Sequence, residues 1–357
     1  MRRTILATAA FVLLLFTFGC ERTKVLSTGN DDDIIVFADT STWGALQNAL
    51  RQTFEDTMFT PQPERLFTLR WTDFNRLDEF ATHKNRIVVA PLDGEGSVAA
   101  YLRTALDSTV RRLVEEQKEF VFTKYDVHAR QQLVMYLAAP SVGALKASIE
   151  SRAPDLLFYF TNMTIKRELA SLQSESRYNK RHIEEHLQQS YGWTMTVQHD
   201  YEIAIDSAAA RFVWIRRATP ADMERWIFVH WIDTESEDTL TDRFAVRLRN
   251  AVTERFLRTI DDRDFVEIAP YFLEVQQVNF LGRFAYEMRG NWRFSDKSGG
   301  GPFVNYTFYD DATKRIYMLD GSIFAPRVDK KKLIAQVDGL LHTFKTLSPT
   351  SEQTITQ

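Results

Sequence analysis

The sequence predicts an α+β fold in two halves, with mixed or antiparallel sheets and helices packed on them. Three observations carry that expectation. Apolar residues make up 44% of the 357-residue chain and aromatics 13%, enough for bulky cores. Across residues 34–190, short apolar runs alternate with stripes of helical period. Across 191–347, strand-like runs follow one another quickly and a helical stripe closes the chain.

Ile34–Ala38 reads as a strand. Asp39 follows as a helix cap or a strand-end catalytic acid, and Trp43, Leu46, Leu50 and Phe54 form a helical stripe. Leu66–Trp71 and Arg86–Pro91 are further strands. The stripe from Leu102 to Val114 predicts one long helix over about 98–119. Phe120–Tyr125 and Gln132–Ala138 are strands, and 140–190 is helical. After a boundary near 190, Arg225–Ile232 is apolar on both faces, which predicts a central strand with His230 as a hydrogen-bonded core residue. Strands are expected at 267–278, 283–294, 302–309 and 315–325. The last two form a hairpin about Asp310-Asp311-Ala312-Thr313, and Gly321 marks a bulge. The final helix carries Leu333, Val337, Leu340, Leu341 and Phe344, and 348–357 is a polar tail.

The N-terminus reads as an address. Arg2 and Arg3 precede an apolar run from Ile5 to Phe16, too short for a membrane-spanning helix. Gly19-Cys20 follows, and Cys20 is the only cysteine. This looks like a bacterial lipoprotein signal over residues 1–19, with lipid attached to Cys20; Thr17 stands where leucine is usual. Residues 20–33, ending in Asp31-Asp32-Asp33, read as a polar tether. A single cysteine excludes an intramolecular disulfide and multi-cysteine metal sites. A net charge of −4 argues against nucleic acid.

Several landmarks then occur in order: Asp39 with Trp43-Gly44, Pro61-Gln62-Pro63-Glu64, Asn85-Arg86-Ile87 and Gln131-Gln132-Leu133-Val134. Arg289-Gly290-Asn291-Trp292, Gly299-Gly300-Gly301-Pro302-Phe303, Asp320-Gly321 and Lys330-Lys331-Lys332 complete the series. Together they resemble a bacterial lipoprotein family known as domain of unknown function 4837. The resemblance implies a lipid-anchored envelope protein and supplies no catalytic residues.

Three constellations invite chemistry. His182-Ile183-Glu184-Glu185-His186 satisfies H-x-x-E-H, so His182 and His186 could hold zinc with Glu185 polarising water, although its charged surroundings read as a solvated helix. Gly299, Gly300 and Gly301 could cradle an anion with Arg289 nearby, or serve close backbone packing. Lys330, Lys331 and Lys332 open the last helix, where cations oppose the helix dipole; they are either solvated or an anion site. Walker A, Rossmann and G-x-S-x-G patterns are missing from the sequence.

The sequence therefore reads as a lipid-anchored envelope protein, with no cofactor and more binding or scaffolding module than enzyme. The outer membrane is the favoured location, with the body in the periplasm or at the surface. The expected partners are the membrane, through Cys20, and an envelope protein or anionic ligand. The alternatives are an envelope hydrolase using the zinc set and a receptor for an anionic ligand.

Overall fold

A computed structural model describes residues 24–347 apart from Phe59, Pro61, Glu175 and 220–222. The signal segment 1–19, Cys20, the landmark residue Pro61 and the polar tail 348–357 lie outside the described residues. The fold is α+β, as the sequence predicts.

The first half runs β1 (Asp33–Phe37), α1 (Thr40–Phe54), β2 (Thr57–Met58), β3 (Glu64–Arg65), β4 (Thr68–Thr72), β5 (Asn85–Pro91), α2 (Ser97–Ala105), α3 (Ser108–Glu115), β6 (Val121–Tyr125), β7 (Leu133–Ala139), α4 (Val142–Ser151) and α5 (Ala153–Ser174). Its five-stranded sheet has the order β4-β1-β5-β7-β6, parallel except for the β6 edge. β1, β5 and β7 are buried along their whole length, which matches the apolar runs Ile34–Phe37, Ile87–Pro91 and Leu133–Ala139. Ile34, Val36 and Leu133 face α1, α4 and α5 through Leu46, Leu145 and Phe160; Ile35, Phe37 and Val88 face α2 and α3 through Leu102 and Val114.

The expected helix over 98–119 is two helices. The chain leaves α2 in extended conformation at Leu106, and the Asp107 carboxylate accepts from the amides of Thr109 and Val110 to start α3. Asp39 takes the N-cap position of α1, as expected, but its side chain caps α2 instead. Its carboxylate accepts from the amides of Val98 and Ala99 at 3.1 and 3.3 Å. That cross-chain cap explains Gly96, where a Cβ would fall 2.1 Å from the Asp39 carboxyl carbon.

The second half runs α6 (Arg181–Tyr191), β8 (Trp193–Thr194), β9 (Glu202–Ser207), β10 (Phe212–Arg217), β11 (Glu224–Asp233), α7 (Asp242–Phe256), β12 (Val266–Ile268), β13 (Glu274–Phe280), β14 (Arg283–Phe294), β15 (Gly300–Asp310), β16 (Arg315–Phe324), α8 (Lys331–Leu341) and β17 (Lys345–Thr346). Its eight-stranded antiparallel sheet has the order β12-β14-β15-β16-β11-β10-β9, with β13 also on β14. As expected, β11 is central. Ile227, Val229 and Trp231 join the α6 and α8 side, while Trp226 and Phe228 join the α7 side.

Ile183 and Leu187 of α6 are buried with Trp193, Val213 and Leu341 of the second core. Leu172, near the end of α5, joins the same second core, so the passage from one core to the other begins within α5, ahead of position 190. The strand expected over 267–278 is two strands, β12 and β13, separated at 269–273. Gly321 forms no bulge. It pairs in register with Ile227 and Val304, and glycine is needed because a Cβ would lie 2.1 Å from Cγ1 of Val337 on α8.

The tether 20–33 is shorter than its polarity suggests. Arg130 donates its amide to the Val25 carbonyl, Ser27 to Arg130, and Thr28 to Thr82. Asp33 already belongs to β1. Gly29, at φ +88°, passes where a Cβ would strike His83 at 2.3 Å. Polar side chains here serve ion pairing and strand addition, which composition alone does not separate from solvated linker.

Candidate functional site

A cleft of about 560 Å³ opens where the two halves meet. Two helices wall it with matching stripes. Thr161, Thr164, Ile165 and Glu168 of α5 recur at i, i+3, i+4 and i+7; Lys331, Ile334, Ala335 and Asp338 of α8 do the same. That spacing puts each set on one helix face. The segment Gly29–Asp33, Lys84 and Arg289 complete the rim, and Met58, Leu66 and Phe67 add apolar surface.

The charges on this wall are held by one another. Asp31 pairs with Lys84 at 2.8 Å and with the buried Arg167 of α5 at 3.2 Å. Arg167 also donates to the carbonyls of Gln131 and Lys84, and so ties the segment before β1 to the sheet. Burial holds the Arg167 guanidinium below its ordinary pKa, against the pull of Asp31. Glu168 is pushed up, chiefly by burial, with Asp31 adding to the rise and Lys332 opposing it.

At the α8 end, Arg289 of β14 lies 2.5 Å from Asp338 and 2.6 Å from Glu287. The Tyr306 hydroxyl is 2.9 Å from Asp338 and 3.0 Å from Glu287. Burial alone would raise the Asp338 pKa; Arg289 and His342 instead hold it well below the carboxylate range. His342 caps the C-terminal end of α8, where the helix dipole favours a cation. Burial opposes its charge, but the Asp338 carboxylate 3.2 Å away raises its pKa above 6.5.

His230 behaves oppositely. It sits in β11 with Nδ1 2.9 Å from the Arg211 carbonyl, and burial pulls its pKa down to about 4, with Arg211 and Arg255 adding to the fall. The two histidines therefore act in adjoining windows. The His342 contribution is full below about pH 6.5 and is lost as pH rises through its raised folded value. The His230 contribution is full above about pH 6.5 and is lost as pH falls toward about 4. Melting profiles should show His342→Gln flattening the alkaline decline and His230→Gln the acid one.

The lysine triplet is divided by the fold. Lys330 is buried, and the Glu64 carboxylate of β3 accepts from the amides of Lys330 and Lys331 at 2.7–2.9 Å. The anion at the α8 N-terminus is thus supplied by the chain itself. Lys331 reaches the carbonyls of Arg65 and Leu66 and pairs with Asp32, while Lys332 lines the cleft near Glu168.

Of the glycines, Gly299 lies in the turn before β15. Gly300 and Gly301 are strand residues paired with Arg293 and Trp292. A Cβ on Gly301 would lie 1.9 Å from the Ile323 carbonyl oxygen. Gly301 lies on the α7 side of the sheet with Phe303 and Trp292, whereas Arg289 faces Tyr306 and α8. The anion cradle read from these glycines together with Arg289 is therefore corrected to a close backbone approach.

The zinc set is also not assembled. His186 pairs through Nε2 with Asp206 at 2.6 Å, and its Nδ1 lies 3.3 Å from the Ser190 hydroxyl. His182 and Glu185 are exposed on α6. Among the described residues, no three His, Cys, Asp or Glu side chains are placed to hold a metal ion. No described helix is long and apolar enough to cross a membrane.

Residues 180–343 match the family described as domain of unknown function (DUF4837). The match spans the second half of the chain. The DUF4837 match includes Arg289, the glycines and the lysine triplet. Residues 27–173 match a different one, domain of unknown function (DUF8532), which takes in the landmarks from Asp39 to Val134. The cleft thus joins two family units. No curated protein matches the chain.

Among solved structures, a Bacteroides thetaiotaomicron protein is 6% identical, covers 44% of this chain and 46% of its own length, and has a TM-score of 0.25. The chain thus spans less than half of that relative. LpqN of Mycobacterium tuberculosis, described as involved in cell envelope biogenesis, is 10% identical over 43% of this chain and 83% of its own, with a TM-score of 0.27. The Saccharomyces cerevisiae Ran-binding protein Mog1p is 7% identical over 44% and 91%, with a TM-score of 0.31. Scores this low carry no weight for fold or function.

Sequence reasoning missed Arg167, Glu168 and Glu64 as site-building residues. A helical stretch over 140–190 was expected, but the polar residues of α5 mark a cleft only once α8 is known to face them.

Proposed function

We propose that this is a lipid-anchored cell-envelope protein whose body binds a ligand or partner segment in the cleft between α5 and α8, without transforming it. The signal at residues 1–19 and Cys20 support the envelope part, with the outer membrane as the favoured site. The cleft carries the binding part. Its volume of about 560 Å³ falls within the range of small-molecule sites. Asp31 with Lys84, Asp32 with Lys331 and Asp338 with Arg289 are paired, and they stand beside the apolar Met58, Phe67, Ile165 and Ile334. Such a lining suits an occupant with apolar bulk and both signs of charge, such as a peptide segment.

The test is thermal stability of the full chain with short peptides, oligosaccharide fragments and inorganic phosphate. A ligand at 100 times its Kd stabilises by about 2.7 kcal/mol. Ile334→Arg, which crowds the cleft, should abolish the shift. Turnover of any probe, lost in Glu168→Gln, would contradict the non-catalytic reading.

A further inference from the structure

The backbone bonding of residues 25–28 bears on how the body sits on its membrane. From Val25 onward the backbone is bonded to Arg130, Thr82 and Lys84, so this stretch cannot serve as a loose leash. Only four peptide steps separate Cys20 from Lys24. Fully extended, they span at most about 14 Å. A folded body of this length has a radius of gyration near ~20 Å. A lipid-bearing Cys20 would therefore be nearer the body surface than the body is wide, and one face must lie against the bilayer.

That face has its own chemistry. Val25 and Leu26 are 61% and 53% exposed, although the next residue, Ser27, is buried. Tyr125, at the end of the edge strand β6, is 44% exposed. Around these apolar side chains stand cations. Lys24 donates to the Asp126 carbonyl, beside Tyr125; Lys166 of α5 lies 5.2 Å from the Tyr125 ring; Arg130 pairs with Leu26 along the backbone. The nearby acid, Asp126, accepts from the amides of Gln131 and Gln132. The chain as a whole is acidic, with a net charge of −4, so this cationic and apolar group at the attachment point runs against the average. Exposed apolar residues ringed by lysine and arginine match a bilayer interface with anionic headgroups.

We propose that the surface formed by Lys24, Val25, Leu26, Tyr125, Arg130 and Lys166 rests on the anionic face of the membrane that holds Cys20. The proposal rests on the anchoring given above under the proposed function. It fixes the orientation of the body, with the β6 edge of the first sheet down.

The experiment uses the full acylated chain, reconstituted into phosphatidylethanolamine vesicles containing phosphatidylglycerol and a nitroxide-headgroup lipid. Leu26→Cys and, as reference, Ile260→Cys are each labelled with a fluorophore; Ile260 is fully exposed on the segment after α7. Position 26 should be quenched several-fold more than position 260. Lys24→Glu with Lys166→Glu should reduce the docked population by about fivefold per residue or more. Equal quenching at the two positions in acylated protein overturns the surface and leaves the anchor standing. Equal quenching at position 26 on vesicles lacking phosphatidylglycerol overturns its anionic preference. A full chain that reaches cell membranes with no acyl mass on Cys20 overturns the anchor and this orientation together.

Discussion

Replacing Asp320 with alanine is expected to destabilise the protein by about 3–5 kcal/mol, the usual cost of leaving one partner of a buried ion pair alone. Asp320 and Arg249 are both wholly buried, with Nε 2.6 Å from Oδ2. The carboxylate also accepts from Asn305 Nδ2 at 3.0 Å and the Ser322 hydroxyl at 2.8 Å. Arg249 lies over the Phe303 ring, 3.5 Å from its centroid, and its Nη1 has no hydrogen-bond partner among the described residues. Loss of Asp320 therefore leaves a guanidinium in the second core with a ring face and a hydroxyl as its main compensation. Asp320→Asn, which keeps hydrogen bonding but not charge, should fall between wild type and alanine in denaturant midpoint. Arg249→Met combined with Asp320→Ala should recover part of the loss, because no buried charge is then unpaired. An alanine variant as stable as wild type would contradict the pair's role.

The second large effect is expected at Gly301. Gly301→Ala should cost at least about 3 kcal/mol, the upper end of ordinary overpacking, because the contact is with backbone. The new methyl would meet the Ile323 carbonyl oxygen at 1.9 Å, and β16 cannot retreat without breaking its ladder with β11. Gly44→Ala is the control. It lies within α1, nothing is within 4 Å of its Cβ position, and helix propensity predicts a gain of about 1 kcal/mol. Chemical denaturation separates the two directly. An anion cradle would behave differently, with Gly301→Ala folding normally and losing only a ligand.

Much of the fold was legible because burial is written in periodicity. β11, apolar on both faces around His230, announced itself as a central strand, β5 and β7 announced themselves as strands, and the hairpin between β15 and β16 came from its Asp-rich turn, where Asp310 accepts from Thr313. Contacts between residues distant in sequence were not legible. Three lysines at the start of α8 look unfavourable until Glu64, on β3, is found capping them. Asp39 was readable as a cap, but α2, which its carboxylate caps, lies beyond four intervening strands, β2 to β5. Gly321 and Gly301 signalled a backbone requirement correctly; whether that meant a bulge, a cradle or a close approach depended on Val337 and Ile323 arriving from elsewhere. The site suffered most, since its walls come from two separate halves and neither stripe declares its partner.

The most direct test of ligand binding between α5 and α8 is photocrosslinking in intact envelopes, with a photoreactive residue at position 164 in the cleft or at position 260 as reference. Mass spectrometry should find one defined adduct from position 164, missing from position 260 and lost when Ile334→Arg fills the cleft. The same adducts from both positions, or adducts indifferent to Ile334→Arg, would contradict it.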